Sequence, residues 1–188
     1  IGSLLREPAF DASVLEEVRR QALTAIESMR KEPGALVDEA LDRHGNPYPR
    51  GDIRHARSFD ERLQDVRAVT PQSLRALHAR LLGASRAEFA AVGDFDAAAV
   101  RAALERALGG WASATPYVRV PRPLVAVPPV RRAFNTPDKQ NASMVARLPL
   151  PLSDNDADCA ALSMANYLLG GGGSSRLWRR IREADGLS

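Results

Sequence analysis

Residues 112–129 read ASATPYVRVPRPLVAVPP, a stretch that contains five prolines and follows the period of neither a helix nor a strand. Proline fixes φ and lacks a backbone N–H, so it interrupts helices and central strands alike. We therefore predict an extended interdomain linker over residues 112–129. This linker divides the 188 residues into an N-terminal part, 1–111, and a C-terminal part, 130–188.

The composition is that of an ordinary globular protein, with 45% hydrophobic and 26% charged residues. No apolar run approaches the roughly 18 residues that a membrane span needs, so we predict no membrane span. The net charge of +3 does not predict a nucleic-acid partner, because the basic excess lies in residues 111–152, with 6 basic and 1 acidic side chains. The chain starts at Ile1 and stops just after Gly186, so we expect an excerpt of a longer protein.

Helix-start signals are frequent before the linker. Ser58 with Glu61 forms a capping box, and Thr70 before Pro71 is typical of an N-cap followed by proline. Asp11 and Asp96 precede two further runs of helical period, and Asp is a favoured N-cap residue. The predicted helices cover residues 11–31, 35–43, 58–67, 70–82 and 96–109.

Three short apolar runs are typical of strands, at residues 87–93, 131–136 and 142–150. Three strands are too few for the sheets that these helices should cover, so we expect the missing strands to lie outside the excerpt. The predicted fold class is α+β. Residues 1–111 would be the C-terminal part of one domain, and residues 130–188 the N-terminal part of the next.

Two helices are predicted after the strands, over residues 156–169 and from Ser174 to about Ala184. Gly170–Gly173 separates them. This glycine run follows a helix and precedes no Gly-Lys-Ser or Gly-Lys-Thr, so a flexible corner between helices is favoured over a phosphate-binding loop. Ser174 is the natural cap of the last helix.

Few residues are candidates for catalysis or metal binding. His44, His55 and His78 have no second histidine or carboxylate at zinc-ligand spacing, and Cys159 is the single cysteine. We predict no metal site and no catalytic residue within the chain. The arginines of the last helix form either a solvated basic face or a site where one arginine binds a peptide carbonyl or carboxylate. They are Arg176, Arg179, Arg180 and Arg182.

The order of several short motifs resembles the insulinase/pitrilysin family of zinc peptidases. Near the C-terminus these are Leu169-Gly170-Gly171-Gly172, Ser175-Arg176-Leu177, Ile181-Arg182-Glu183 and Gly186-Leu187-Ser188. Upstream they are Pro8-Ala9-Phe10, Gly51-Asp52-Ile53-Arg54, Val69-Thr70, Val92-Gly93-Asp94-Phe95 and Gly110-Trp111. The element at residues 136–142 is similar to the C-terminal half of the long bacterial members.

The resemblance implies α+β domains with helices packed on a mainly antiparallel sheet, paired as two halves that close around a peptide. Catalysis in such proteins uses zinc and an inverted His-x-x-Glu-His motif, which this chain lacks. The implied role is therefore the non-catalytic, substrate-enclosing portion of a zinc metalloendopeptidase, with zinc bound outside the chain. The alternative is a non-enzymatic, structural or substrate-presenting subunit of a separate catalytic chain. Long bacterial members imply a periplasmic location.

The resemblance also implies one substrate-binding residue. In the family, an arginine on the last helix and a tyrosine seven residues later contact the substrate near the scissile bond. Arg182 occupies the arginine position, and the tyrosine would directly follow Ser188. Such a pair would orient the scissile carbonyl and stabilise its developing negative charge.

Overall fold

The computed structural model describes residues 2–187, and every regular element in that range is helical. These residues form two compact units, which divide between Arg147 and Leu148. The first unit contains α1 (Gly2–Arg6), α2 (Ala12–Met29), α3 (Pro33–His44), α4 (Phe59–Ala68), α5 (Pro71–Leu81) and α6 (Ala97–Leu108). The second unit contains α7 (Cys159–Gly170), α8 (Arg176–Trp178) and a π-helix over Arg179–Ala184.

Four of the five helix starts predicted for the first unit are confirmed by their caps, whereas α3 starts at Pro33 rather than Ala35 and has no side-chain cap bond. The side chains of Asp11, Ser58, Thr70 and Asp96 each accept a hydrogen bond from a backbone N–H of the first helical turn. These bonds satisfy N–H groups that have no partner within the helix. The short helix α1 is not predicted by the sequence, because five residues are too few for a periodic pattern.

The core of the first unit lies where α2, α3 and α4 meet. Ile26 of α2 packs with Phe59 and Leu63 of α4, and these three side chains are buried. Partly buried side chains from the same three helices surround them. They are Leu23, Met29, Ala35, Leu36 and Val66. This cluster fixes the start of α4 against the preceding helices.

The α+β prediction is wrong for the residues that the structure describes, because no strand and no sheet occurs in them. Residues 87–93, 131–136 and 142–150, the three predicted strands, have no regular structure. A strand is stable only where its N–H and C=O groups pair with a neighbouring strand, and an apolar pattern supplies no neighbour. Arg147, within the third of these runs, pairs instead with Asp42 of α3 at 2.6 Å. Lys139, between the second and third runs, pairs with Glu32 at 2.6 Å.

Residues 112–129 contain neither helix nor strand, as their prolines predict. Two backbone hydrogen bonds connect the start of this segment to the end of α5 and the residues after it. Thr115 N–H donates to Arg80 O at 3.0 Å, and Trp111 O, just before the segment, accepts from Ala84 N–H at 2.6 Å. Farther along, Pro128 O accepts from Nε2 of His44 at 2.9 Å. The segment lies within the first unit, and the domain boundary expected there stays a prediction.

Few apolar side chains are buried in the part of the chain that the structure describes: the buried hydrophobic residues are Ile26, Phe59 and Leu63. Large hydrophobic side chains are exposed in both units, among them Leu77, Met144 and Leu168. No helix between residues 2 and 187 is both long and apolar enough to cross a membrane. Exposed side chains such as Met144 and Leu168 can contact other protein surfaces.

Candidate functional site

The predicted corner between two helices is confirmed at Gly170–Gly173, between α7 and α8. A Cβ on Gly171 would lie 2.7 Å from Cδ2 and 2.8 Å from Cα of Tyr167, which no side chain tolerates without a shift. A Cβ on Gly172 would lie 3.1 Å from the Tyr167 hydroxyl. Glycine is thus required for the chain to turn closely past Tyr167.

Ser175 starts the helix that carries the arginines. Its Oγ accepts from Trp178 N–H at 3.3 Å, and the residue is buried. The sequence predicts Ser174 as the cap, and this prediction is wrong. The cap is Ser175, because its hydroxyl reaches the N–H three residues later. After Trp178 the helix widens into a π-helix, in which Asp185 N–H donates to Arg180 O at 3.0 Å. Such wide turns are frequent at functional sites.

Arg182 lies on this π-helix with an exposed side chain. Its guanidinium carbon lies 4.8 Å from the centroid of the Trp178 ring, a distance at which cation and ring attract each other. Arg180 pairs instead with Asp185, with Nε 3.1 Å from the carboxylate oxygen. No acidic side chain among residues 2–187 pairs with Arg182, so its N–H groups can donate to a ligand. The tyrosine expected after Ser188 lies outside the described residues.

Each of the three histidines bonds to a different backbone carbonyl. His44 donates to Pro128 O, and His78 Nε2 donates to Leu5 O at 2.7 Å. His55 Nδ1 donates to Tyr48 O at 2.8 Å. In the part of the chain that the structure describes, no three His, Cys, Asp or Glu side chains come together as metal ligands. These residues do not fit a zinc ion, so no chemical step is assigned to zinc within this chain.

Three aspartates precede α7, at positions 154, 156 and 158, and one of them, Asp156, accepts hydrogen bonds from Ser153. Both the N–H and the Oγ of Ser153 donate to the Asp156 carboxylate. These two bonds lower the pKa of Asp156 from its ordinary value. The carboxylate therefore closes a turn before α7, which starts at Cys159 rather than near residue 156.

A network that sequence analysis missed holds the loop between α3 and α4. His55 bridges the loop to α4, since its Nδ1 donates to Tyr48 O while Nε2 lies 3.2 Å from both carboxylate oxygens of Glu61. The bond to Tyr48 O and the contact with Glu61 raise the pKa of His55, because both favour the protonated ring. Bonds from Ser58 N–H and His55 lower the pKa of Glu61.

The same loop contains an ion pair with near-ideal geometry. Arg54 donates to Asp52 through Nε at 2.9 Å and through a terminal nitrogen at 2.7 Å, and its backbone N–H adds a third bond at 2.8 Å. The hydrogen bonds from the Arg54 guanidinium, followed by the bond from its backbone N–H, lower the pKa of Asp52 to about 2. The Arg54 guanidinium also lies 3.8 Å from the Tyr48 ring centroid. In the sequence, an aspartate two residues before an arginine in a Gly- and Pro-rich loop is the pattern that could have indicated this ion pair.

This loop forms one wall of a cavity of about 490 Å³ in the first unit. The other walls are α3, through Glu39 and Arg43, and the segment with Arg132 and Phe134. Sequence analysis missed this cavity, because its walls come from segments about 80 residues apart. Its charges and its aromatic rings make it a second candidate site, beside Arg182.

Comparison with known proteins identifies the C-terminal two thirds of the chain. The sequence model of one protein family, described as "Peptidase M16 inactive domain", matches residues 68–188. No curated protein and no solved structure matched the chain. The matched region contains the glycine corner and Arg182, together with residues 68–147 of the first unit.

Proposed function

The chain belongs to the peptidase M16 family, and from this membership we propose that it is the substrate-enclosing part of a zinc-dependent metalloendopeptidase that hydrolyses peptides. The match over residues 68–188 to the inactive domain of that family carries the proposal. It makes the chain part of the non-catalytic half of an M16 peptidase. A periplasmic location, expected from the long bacterial members, stays a prediction.

Zinc would be bound by the catalytic half, because the histidines and carboxylates of this chain do not come together as ligands in the described range. Zinc, where bound, supplies Lewis-acid activation of a water molecule in such peptidases. The contribution of this chain would be to bind and orient the peptide. The partner would be either the catalytic half of the same polypeptide or a separate catalytic subunit.

The exposed apolar surface supports such a partner. Helix α7 has no charged residue, yet Met164, Tyr167 and Leu168 are each more than half exposed. A helix without a polar face is normally covered by other protein segments. Contact with the catalytic half would cover side chains of this kind, and apolar burial would stabilise the complex.

Arg182 is the residue that we propose to contact the substrate. Its guanidinium is exposed, it lies against the Trp178 ring, and it has no acidic partner among residues 2–187. A planar guanidinium with free N–H groups can donate to a peptide carbonyl, and these bonds strengthen as negative charge develops on the oxygen. Arg182 would therefore position the scissile carbonyl and stabilise the transition state.

The substitution Arg182→Ala in the whole zinc-loaded protein tests this role. We expect kcat for peptide cleavage to fall by about 10²-fold, the usual effect of losing one donor to a developing oxyanion. Zinc content should stay unchanged, because no metal ligand is altered. Arg179→Ala is the matched control, since Arg179 lies on the same π-helix and the change removes the same charge. Unaltered cleavage by Arg182→Ala, or an equal loss in both variants, would refute the role of Arg182.

A further inference from the structure

One wall of the cavity of about 490 Å³ in the first unit, the loop between α3 and α4, is held in place by polar bonds. Asn46 donates to Arg54 O at 2.7 Å and accepts from Tyr48 N–H at 3.1 Å. His55 connects the same loop to α4 through Glu61. The loop wall is therefore preorganised, and a ligand would lose little affinity to the cost of ordering it.

The charges that line the cavity leave an excess of positive charge. Glu39 lies 3.6 Å from Arg43 and accepts a hydrogen bond from Phe59 N–H at 3.3 Å. The imidazole of His55 is faced by Glu61. Arg132 makes no hydrogen bond and no ion pair with any residue between 2 and 187. Arg132 therefore adds to the cavity lining an arginine whose N–H groups are not used by the described residues.

Aromatic and aliphatic side chains complete the lining. Tyr48 and Phe134 are the aromatic residues of the lining, and Leu36 and Ala40 are its apolar residues from α3. An arginine beside aromatic rings matches a ligand with a carboxylate next to a large apolar group, since guanidinium binds carboxylate through two parallel hydrogen bonds. A phosphate would also fit the arginine, but it would leave the rings uncovered.

We propose that this cavity binds a peptide through a carboxylate held by Arg132, with an apolar side chain of the peptide against Phe134. The choice of a peptide rests on the proposed function, whereas the carboxylate follows from the cavity. The carboxylate can belong to the C-terminus of the peptide or to an acidic side chain. Both sources supply the same two oxygen acceptors.

Fluorescence anisotropy on the purified chain tests the proposal with three labelled pentapeptides. The first ends in phenylalanine with a free carboxylate, the second has the same sequence with a C-terminal carboxamide, and the third is a carboxamide with glutamate before the phenylalanine. We expect the carboxamide without glutamate to bind at least tenfold more weakly than the free acid. Tight binding of the third peptide would identify an acidic side chain as a second source of the carboxylate and would support the proposal.

Two neighbouring arginines provide matched variants. Arg132→Gln should weaken binding of the free acid about tenfold, whereas Arg131→Gln, which removes the same charge outside the cavity lining, should change it less than twofold. Both positions lie outside the helices, so circular dichroism should show unchanged helix content. Equal affinity for acid and carboxamides, equal losses in both variants, or no binding of any peptide would overturn the proposal. None of these measurements depends on cleavage or on Arg182. A negative result would therefore overturn the cavity proposal without overturning the proposed function.

Discussion

Helix α4 is rich in charged residues and α7 has none, yet buried side chains occur in α4 and not in α7. Five of the ten residues of α4 are charged, yet its Phe59 and Leu63 belong to the buried core. Helix α7 has no charged residue in twelve, yet no side chain of it is buried. Leu63 is 3% exposed, whereas Met164 is 61% exposed. Composition therefore does not decide burial in this chain.

The difference lies in the neighbours of each helix. Helix α4 meets α2 along its apolar side, and its two ends are held by polar bonds. Helix α7 has only the short elements after the glycine corner beside it within the second unit. An apolar side chain gains free energy only where another surface removes it from water. Four substitutions, from the largest expected effect to the smallest, test whether this explanation holds.

Leu63→Ala should have the largest effect, because it leaves a cavity between α2 and α4. We expect a loss of about 2–4 kcal/mol in the free energy of unfolding, measured by urea denaturation. Leu162→Ala in α7 is the matched control, because Leu162 is 41% exposed, and it should cost less than about 1 kcal/mol. Equal losses at the two positions would break the contrast between the helices.

Arg19→Met tests the bonds at the end of α4. The Arg19 guanidinium donates to Val66 O at 3.0 Å and to Val69 O at 2.6 Å, which satisfies carbonyls that α4 leaves without a partner. Methionine keeps the apolar stem but loses these bonds, so we expect a loss of about 1–2 kcal/mol. Arg20→Met is the control, because Arg20 is 70% exposed and forms an ion pair with Glu17, and exposed pairs contribute little. A loss in Arg20→Met as large as in Arg19→Met would contradict this assignment.

The start of α4 should be stabilised by His55 in a pH-dependent way. Because the folded pKa of His55 is raised above its ordinary value of 6.5, its contribution is fully present below that value. It is lost as the pH rises through the folded pKa. His55→Gln should therefore reduce the free energy of unfolding more at pH 5.5 than at pH 8.5. Glu61→Gln should flatten the same pH profile, and a profile that neither variant changes would exclude the bridge.

Met164→Gln in α7 should have the smallest effect. Met164 is largely exposed, so we expect the free energy of unfolding of the chain to change by less than about 0.5 kcal/mol. Association with the catalytic half should weaken, because an apolar contact is replaced by an amide. A loss of more than about 1 kcal/mol in the chain alone would show that α7 is already covered.

Much of the helical structure was predictable from short-range signals. Asp11, Ser58, Thr70 and Asp96 were identified as caps because an N-cap bond spans only two or three residues. The glycine corner was predictable for the same reason. The site residue Arg182 came from the order of family motifs, and the family itself is confirmed by the match over residues 68–188. Its contact with Trp178 required the structure.

The cavity and the core could not be predicted in the same way. Arg132 and Arg43 are 89 residues apart, and no local pattern indicates that they face one cavity. The three apolar runs at residues 87–93, 131–136 and 142–150 suited strands, but periodicity shows only which side chains share a face. Whether a strand forms depends on a partner for its backbone groups, and no partner strand occurs between residues 2 and 187.

Local signals in the amino-acid sequence were thus sufficient for four helix starts of the first unit, for the turn at Gly170–Gly173 and for the family to which the chain belongs. Tertiary structure alone decided that charged α4 is buried in part while apolar α7 is exposed. It also decided that Arg19 binds the end of α4, through Val66 O, 47 residues away in sequence. The physical reason is range: caps and turns are bonds between near neighbours, whereas burial and pairing need a partner that the rest of the fold supplies.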